Sequence, residues 1–262
     1  MGRTFAWKPD PTDLHGQDKK FSELAVHLKK KLKTGASASV SLAPFCVAMN
    51  QYDLPSCVGN ATCEALEILE NITHLGAAGY QPTVLSRMFV WAMARTQEGL
   101  LDQNTGCYVR DAFNVIASLG VCQEATWPYE DSLATTSPSL AAQQEALGHT
   151  ISGAYRIDTL GQDRLNDIIT ALSTQHPVVF GTNVSTAFEN LVGSGPMDVP
   201  SPTDTIAGGH CMVVVGWDGT NFLVKNSWGT DWGSEGFCLF TPAYLTWSFT
   251  QDLWVPTLGP TF

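Results

Sequence analysis

The chain has 262 residues, 44% of them apolar and only 15% charged; a folded chain of this size buries roughly three quarters of the surface it would expose unfolded, which allows a cleft between two lobes and excludes a disordered chain. No stretch reaches the ~20 apolar residues of a membrane span, and the first ten residues have no apolar core of signal-peptide length, so a cytoplasmic chain with no membrane contact is expected. The net charge of −11 is uneven: residues 1–40 hold eight Lys and Arg against four Asp and Glu, whereas the rest holds six against twenty-one. An acidic body argues against a nucleic-acid partner, and the basic arm is read either as lying on that body or as docking an anionic protein partner.

Along the chain, a Pro/Asp-rich start (Pro9 to Asp13) leads to Phe21, Leu24, Ala25, Leu28 and Leu32 at helical spacing, a helix ended by Gly35. A second helix is predicted from Cys57 to about Gly76. Leu85, Met88, Phe89 and Ala92 mark a third, and Val109, Ala112, Phe113 and Ile116 a fourth, stopped by Gly120. Beyond residue 150 one more helix, carrying Leu165, Ile168, Ile169 and Leu172, precedes short β-rich runs at 178–184, 212–215, 222–224, 237–240 and 253–255. Helices first and strands later predict an α+β chain: a basic extension over residues 1–40, a helical lobe over about 50–135 and a β-rich lobe over about 140–262, with Ser132 to Ser139 as the crossing.

The seven cysteines are an odd number, and no C-x-x-C pair occurs. Free thiols are therefore expected, one of them reactive, with no metal and no other cofactor. The sequons at Asn60, Asn71 and Asn183 mean little without a secretory route, and His15, His27, His74, His149 and His176 lack motif neighbours and read as surface or structural.

The strongest local signal is Gly208-Gly209-His210-Cys211, followed by Lys225-Asn226-Ser227-Trp228-Gly229 with Trp232-Gly233 and Gly236. These runs resemble the histidine and asparagine blocks of papain-like cysteine peptidases. In that family the nucleophile lies ~130–150 residues upstream of the histidine, and Cys57 precedes His210 by 153 residues, with Gln51 six residues before it. Cys63, the rival, has Cys57 at that offset instead. The resemblance extends through Leu85 to Phe89, Gly106 to Phe113 and Gly120 to Tyr129, covering about residues 41–255, and is closest to bacterial and phage-type members without a long prodomain.

The resemblance implies a two-lobed fold and peptide-bond hydrolysis through a thioester acyl-enzyme, with Cys57 as nucleophile, His210 as base, Asn226 orienting the imidazole and Gln51 in the oxyanion hole. Gly106 and Cys107 become candidate substrate-binding positions, and so do Gly209, Trp228 and Trp232. A thiol at a helix tip beside an imidazolium is expected to have a lowered pKa. Tyr52, Pro55 and Val58 depart from the family's pattern around the nucleophile, the tyrosine being placed to narrow the cleft. Cys211 reads as a buried filler. Two alternatives keep the same residues: an inactive module serving a larger assembly, and an acyl transferase. Residues 1–40 are too short for the family's helical prodomain and are not expected to block the cleft.

Overall fold

The computed structural model describes residues 3–13, 16–32 and 35–258; His15 lies outside them. Its helices are α1 (Phe21–Lys31), α2 (Cys57–Thr73), α3 (Arg87–Gln97), α4 (Val109–Ser118), α5 (Leu140–Ala146), α6 (Gly161–Ser173), α7 (Thr186–Glu189) and α8 (Pro242–Thr246). The strands are β1 (Val40–Ser41), β2 (Gly153–Ile157), β3 (Val178–Ser185), β4 (Ile206–Trp217), β5 (Phe222–Lys225), β6 (Phe237–Phe240) and β7 (Gln251–Thr257). They form one sheet in the order β2-β7-β3-β4-β5-β6, with β1 added beside β4, and every pairing is antiparallel. This is the α+β class that the order of the periodicities predicts. The strands β1 and β2 and the short helices α5, α7 and α8 are additions to that reading.

Helix α2 is the axle of the helical half. It packs between α3 and β4, and almost every side chain from Cys57 to Leu69 is buried, polar ones included. Those polar groups fasten neighbouring loops: Glu64 accepts the Val47 N–H at 3.0 Å and Glu67 the Leu85 N–H at 2.7 Å. Asn60 and Asn71, two of the three sequon asparagines, are likewise buried and hydrogen-bonded, Asn60 to Ser56 and Asn71 to the Phe45 carbonyl. A glycan on either would have to displace packed structure.

The amino-terminal residues are not a solvated appendage. Residues 3–13 run along the junction between the two halves, and α1 then packs on α6 and β2. Trp7 and Asp10 are buried. Three of the arm's lysines face the body: Lys20 pairs with Asp158 at 3.0 Å, while Lys8 and Lys19 lie over the rings of Tyr108 and Tyr155.

Candidate active site

Two strands and one helix tip bring the sequence-predicted residues together. His210 lies near the start of β4, and Asn226 follows the last residue of β5. The antiparallel register that matches Val213 with Lys225 sets those two side chains beside each other. His210 Nε2 meets Asn226 Oδ1 at 2.8 Å. That same Oδ1 accepts the Ser227 N–H at 2.8 Å, so it is an acceptor and His210 Nε2 carries the proton. The other ring nitrogen, Nδ1, is thereby left as the basic one, and it has no hydrogen-bond partner among the described residues.

Trp228 stacks on the imidazole, with centroids 4.6 Å apart and planes 25° from parallel. It covers the buried His210–Asn226 bond, as the family resemblance implies. Trp232 sits behind Trp228, edge-on at 5.3 Å, with its indole N–H donated to the Phe188 carbonyl. It is 2% exposed with the arm in place and backs Trp228.

Gln51 reaches the site because its segment pairs with the asparagine run: Gln51 N–H donates to the Ser227 carbonyl and Gly229 N–H to the Met49 carbonyl. Ser227 Oγ donates to Gln51 Oε1 at 2.7 Å, which turns the amide Nε2 toward the cleft. Cys57 is the first residue of α2, where the helix's N–H groups lack intrahelical acceptors. The backbone of Cys211, the residue after His210, lies against its thiol and lowers its pKa, which puts the nucleophile and base candidates in one neighbourhood. Tyr52 adopts φ 48°, a left-handed conformation that suits glycine better, and its ring is 63% exposed. It points into solvent and does not narrow the cleft.

The cleft is occupied by the chain's own amino-terminal arm, contrary to the expectation from its length. Arg3 lies over the Trp228 ring at 4.2 Å and donates to the Glu189 carbonyl. The Thr4 carbonyl accepts from Gln51 Nε2 at 3.3 Å, and Phe5 packs edge-on against both His210 and Trp228. Trp7 N–H donates to the Gly209 carbonyl at 3.0 Å. The backbone of Ala6 and Trp7 lies against the Cys57 thiol.

Three glycines make this approach possible. A Cβ at Gly106 would lie 1.9 Å from the Ala6 carbonyl oxygen, at Gly208 2.4 Å from Phe5 Cβ, and at Gly209 2.3 Å from the Trp7 carbonyl oxygen. Gly106 and Gly209 therefore meet a peptide backbone, as the resemblance implies for substrate, though here it is the chain's own. Cys107, the neighbouring candidate, is fully buried and contributes packing.

Occlusion reverses the expected electrostatics. Burial pushes the Cys57 thiol up to about 11, against the lowering effect of the backbone of Cys211, Ala6, Val58 and Trp7. Burial likewise lowers His210 to about 4, with Asn226 opposing the shift and Arg3 adding to it. Losing water penalises the charged form of each group, so under the arm the pair is a neutral thiol and a neutral imidazole. The thiolate expected from the helix tip is not favoured in this closed state. Cys211 is buried and carries a raised thiol pKa, in keeping with a filler.

Residues that motif reading did not single out complete the cleft. Trp7 fills a socket floored by Asp252 and walled by Gly181, whose added Cβ would fall 1.9 Å from the indole ring. The sequence signal for Trp7 is a pair of large aromatics, Phe5 and Trp7, just ahead of the Pro9 to Asp13 stretch; Gly181 and Asp252 have no local signal.

The comparisons agree with this geometry. The papain family cysteine protease model matches residues 46–245. An uncharacterized peptidase C1-like protein of Acanthamoeba polyphaga mimivirus is 29% identical over 97% of this chain and 87% of its own length. Mouse cathepsin S is 30% identical over 51% of this chain, a region that makes up 39% of that protein. Among solved structures, xylellain, a cysteine protease from Xylella fastidiosa, superposes with a TM-score of 0.82 at 25% identity, covering 98% of this chain and 96% of that one. The chain belongs to the papain family of cysteine proteases, and it is a cysteine peptidase acting on peptide or protein substrates.

Proposed function

We propose that Cys57 is the nucleophile of this peptidase, with His210 as its acid and base, and that the arm over residues 3–12 holds the site shut until it is displaced. The supporting observation is that the arm lies across the site: its Thr4 carbonyl takes the Gln51 donor, Phe5 packs edge-on against His210, and Trp7 N–H donates to the Gly209 carbonyl. A productive substrate must present a carbonyl carbon to the sulfur, roughly 3–3.5 Å away, so the arm has to leave before a substrate can react.

Once the arm leaves, water returns and the helix tip again favours thiolate beside imidazolium. Cys57 sulfur then bonds to the substrate carbonyl carbon, and the displaced π pair moves to oxygen, held by Gln51 Nε2 and the Cys57 N–H. His210 gives its Nδ1 proton to the leaving nitrogen as the C–N bond breaks and a thioester remains. Water attacks that thioester, His210 takes its proton, the C–S bond breaks, and the acid product departs. Asn226 keeps the ring in the one tautomer and orientation that serve both halves. No member of this quartet is replaced, which disfavours an inactive module.

A thiol-reactive peptide epoxide tests both parts in the full chain. Labelling of the unaltered protein should be slow, and at least tenfold faster when Arg3→Ala and Trp7→Ala weaken the arm. Adding Cys57→Ala should abolish it. Equal rates with and without the arm substitutions would remove the occlusion, and a label that survived Cys57→Ala but vanished with Cys63→Ala would move the nucleophile.

A further inference from the structure

The socket that holds Trp7 has two features that its role as an anchor for the arm does not require. First, its wall at Gly181 is bare: an added Cβ would come within 1.9 to 2.5 Å of three atoms of the indole, so the space exists only because β3 carries glycine there. Second, its floor is a carboxylate aimed by an irregular backbone. Strands β3 and β7 slip register between Val179 and Gly181, which pair with Trp254 and Gln251. Two residues of β7 thus face one of β3, a bulge of the kind that re-aims a side chain. Asp252, one of the two, is held at φ 51°, a conformation that costs on the order of 1 kcal/mol or more for a residue with a Cβ and persists only when its surroundings enforce it.

The outcome of that strain is a buried oxygen facing the socket. Asp252 Oδ2 accepts the Trp7 indole N–H at 3.2 Å and the Asp10 N–H at 2.7 Å, while Oδ1 is taken by Arg156 at 2.7 Å. Both donors to Oδ2 belong to the arm. When the arm leaves, Oδ2 keeps neither of them and is open to a donor from water or from a side chain that enters the socket. The charge around it is already balanced: Arg156 also touches Asp18, and Asp18 pairs with Arg110 through two hydrogen bonds of 2.7 Å. The floor therefore asks for a hydrogen-bond donor and not for a cation.

We infer that the Trp7 socket is a substrate side-chain pocket in which Gly181 and Asp252 select a large flat side chain with a hydrogen-bond donor, tryptophan ahead of phenylalanine, leucine or lysine. This rests on the reading of Cys57 as the nucleophile, because the socket counts as a substrate pocket only through its place one residue from that sulfur. The arm then closes the enzyme by placing in the pocket the side chain the pocket prefers. A site built to bond an N–H rejects analogues that lack it far more strongly than a greasy pocket rejects a wrong shape.

The test uses the full chain carrying Trp7→Ala and Arg3→Ala, which empties the socket. Peptidyl acyloxymethyl ketones, varied in turn at each of the first three residues from the reactive group, report the rate of Cys57 alkylation. At one position tryptophan should label at least about tenfold faster than its benzothienyl isostere, in which sulfur replaces the indole N–H. Adding Gly181→Ala should lower the ratio of tryptophan to alanine probes by about a hundredfold. Equal rates for tryptophan and the isostere at every position would overturn the role of Asp252, and an unchanged ratio on Gly181→Ala would overturn the pocket. Failure of every probe to alkylate Cys57 would instead sink the nucleophile assignment beneath both.

Discussion

Asn226 Oδ1 takes two hydrogens at once, from His210 Nε2 and from Ser227 N, each at 2.8 Å in a site closed to water. The oxygen therefore fixes which way the amide points as well as which imidazole nitrogen is protonated. Asn226→Ala leaves both donors unsatisfied; a lost buried hydrogen bond costs about 1–3 kcal/mol. In the arm-weakened enzyme kcat should fall by about 10- to 100-fold with little change in KM, because the loss is in ring orientation and not in substrate contact. Gln51→Ala removes an amide donor worth ~3 kcal/mol in the transition state, so kcat should fall about a hundredfold; steady-state hydrolysis of a peptide amide measures both, and a fall confined to KM would contradict both roles. These positions were legible because each is tied to a short run, Gln51 to Cys57 or Lys225 to Gly229. Gly181 and Asp252 were not, since each is a single ordinary residue whose meaning comes from a register slip between strands far apart in sequence.

At the scale of elements, α1, α2, α3, α4 and α6 were legible from their apolar faces, although α2 is buried nearly all round and the part its polar residues play is read only in place. The seven residues of α5 and five of β2 carry too few apolar positions to establish a period. Within α2, Glu67 is 1% exposed, bonds the Leu85 N–H through Oε1 and leaves Oε2 without a partner among the described residues. Burial, reinforced by neighbouring Glu64, pushes its carboxyl well above the usual range. The raised value means that the folded state binds the proton more tightly than the unfolded one, so this group favours folding at low pH and opposes it as pH rises. Glu67→Gln keeps the acceptor for Leu85 and carries no charge. Urea unfolding should show it as stable as the unaltered protein at pH 4, where folded and unfolded states both hold the proton, and more stable at pH 7. Glu67→Leu strands the Leu85 N–H and should lose about 1–3 kcal/mol at either pH. A glutamine variant that weakened progressively with pH would show that the carboxylate is the form the fold uses.

For the molecule as a whole, closure is an equilibrium between an arm in the cleft and an arm in water, and Asp10 ties it to pH. In the closed form Asp10 Oδ2 accepts the Trp254 indole N–H at 3.0 Å and Oδ1 the Arg110 N–H at 3.2 Å, with its backbone on Asp252 and with Arg156 and Asp18 beyond. Burial, with the Asp252 charge adding to it, pushes the Asp10 carboxyl up to about 7 against the lowering effect of Arg110. Released into water the same carboxyl titrates near the usual value of about 3.9. Between these two values closing takes up a proton, so the arm grips hardest in acid, loosens by up to about tenfold per pH unit as pH rises, and changes no further once pH passes the closed-state value. Asp10→Asn is neutral in both states and should close equally well throughout. Dividing the Cys57 labelling rate of the unaltered chain by that of Asp10→Asn at each pH cancels the ionisation of the thiol itself, which both proteins share. The quotient should climb from pH 5 to 7 and then level off. A quotient that stayed constant would mean that the arm leaves without exposing Asp10, and that the latch on the sheet and the block over the sulfur are separate devices.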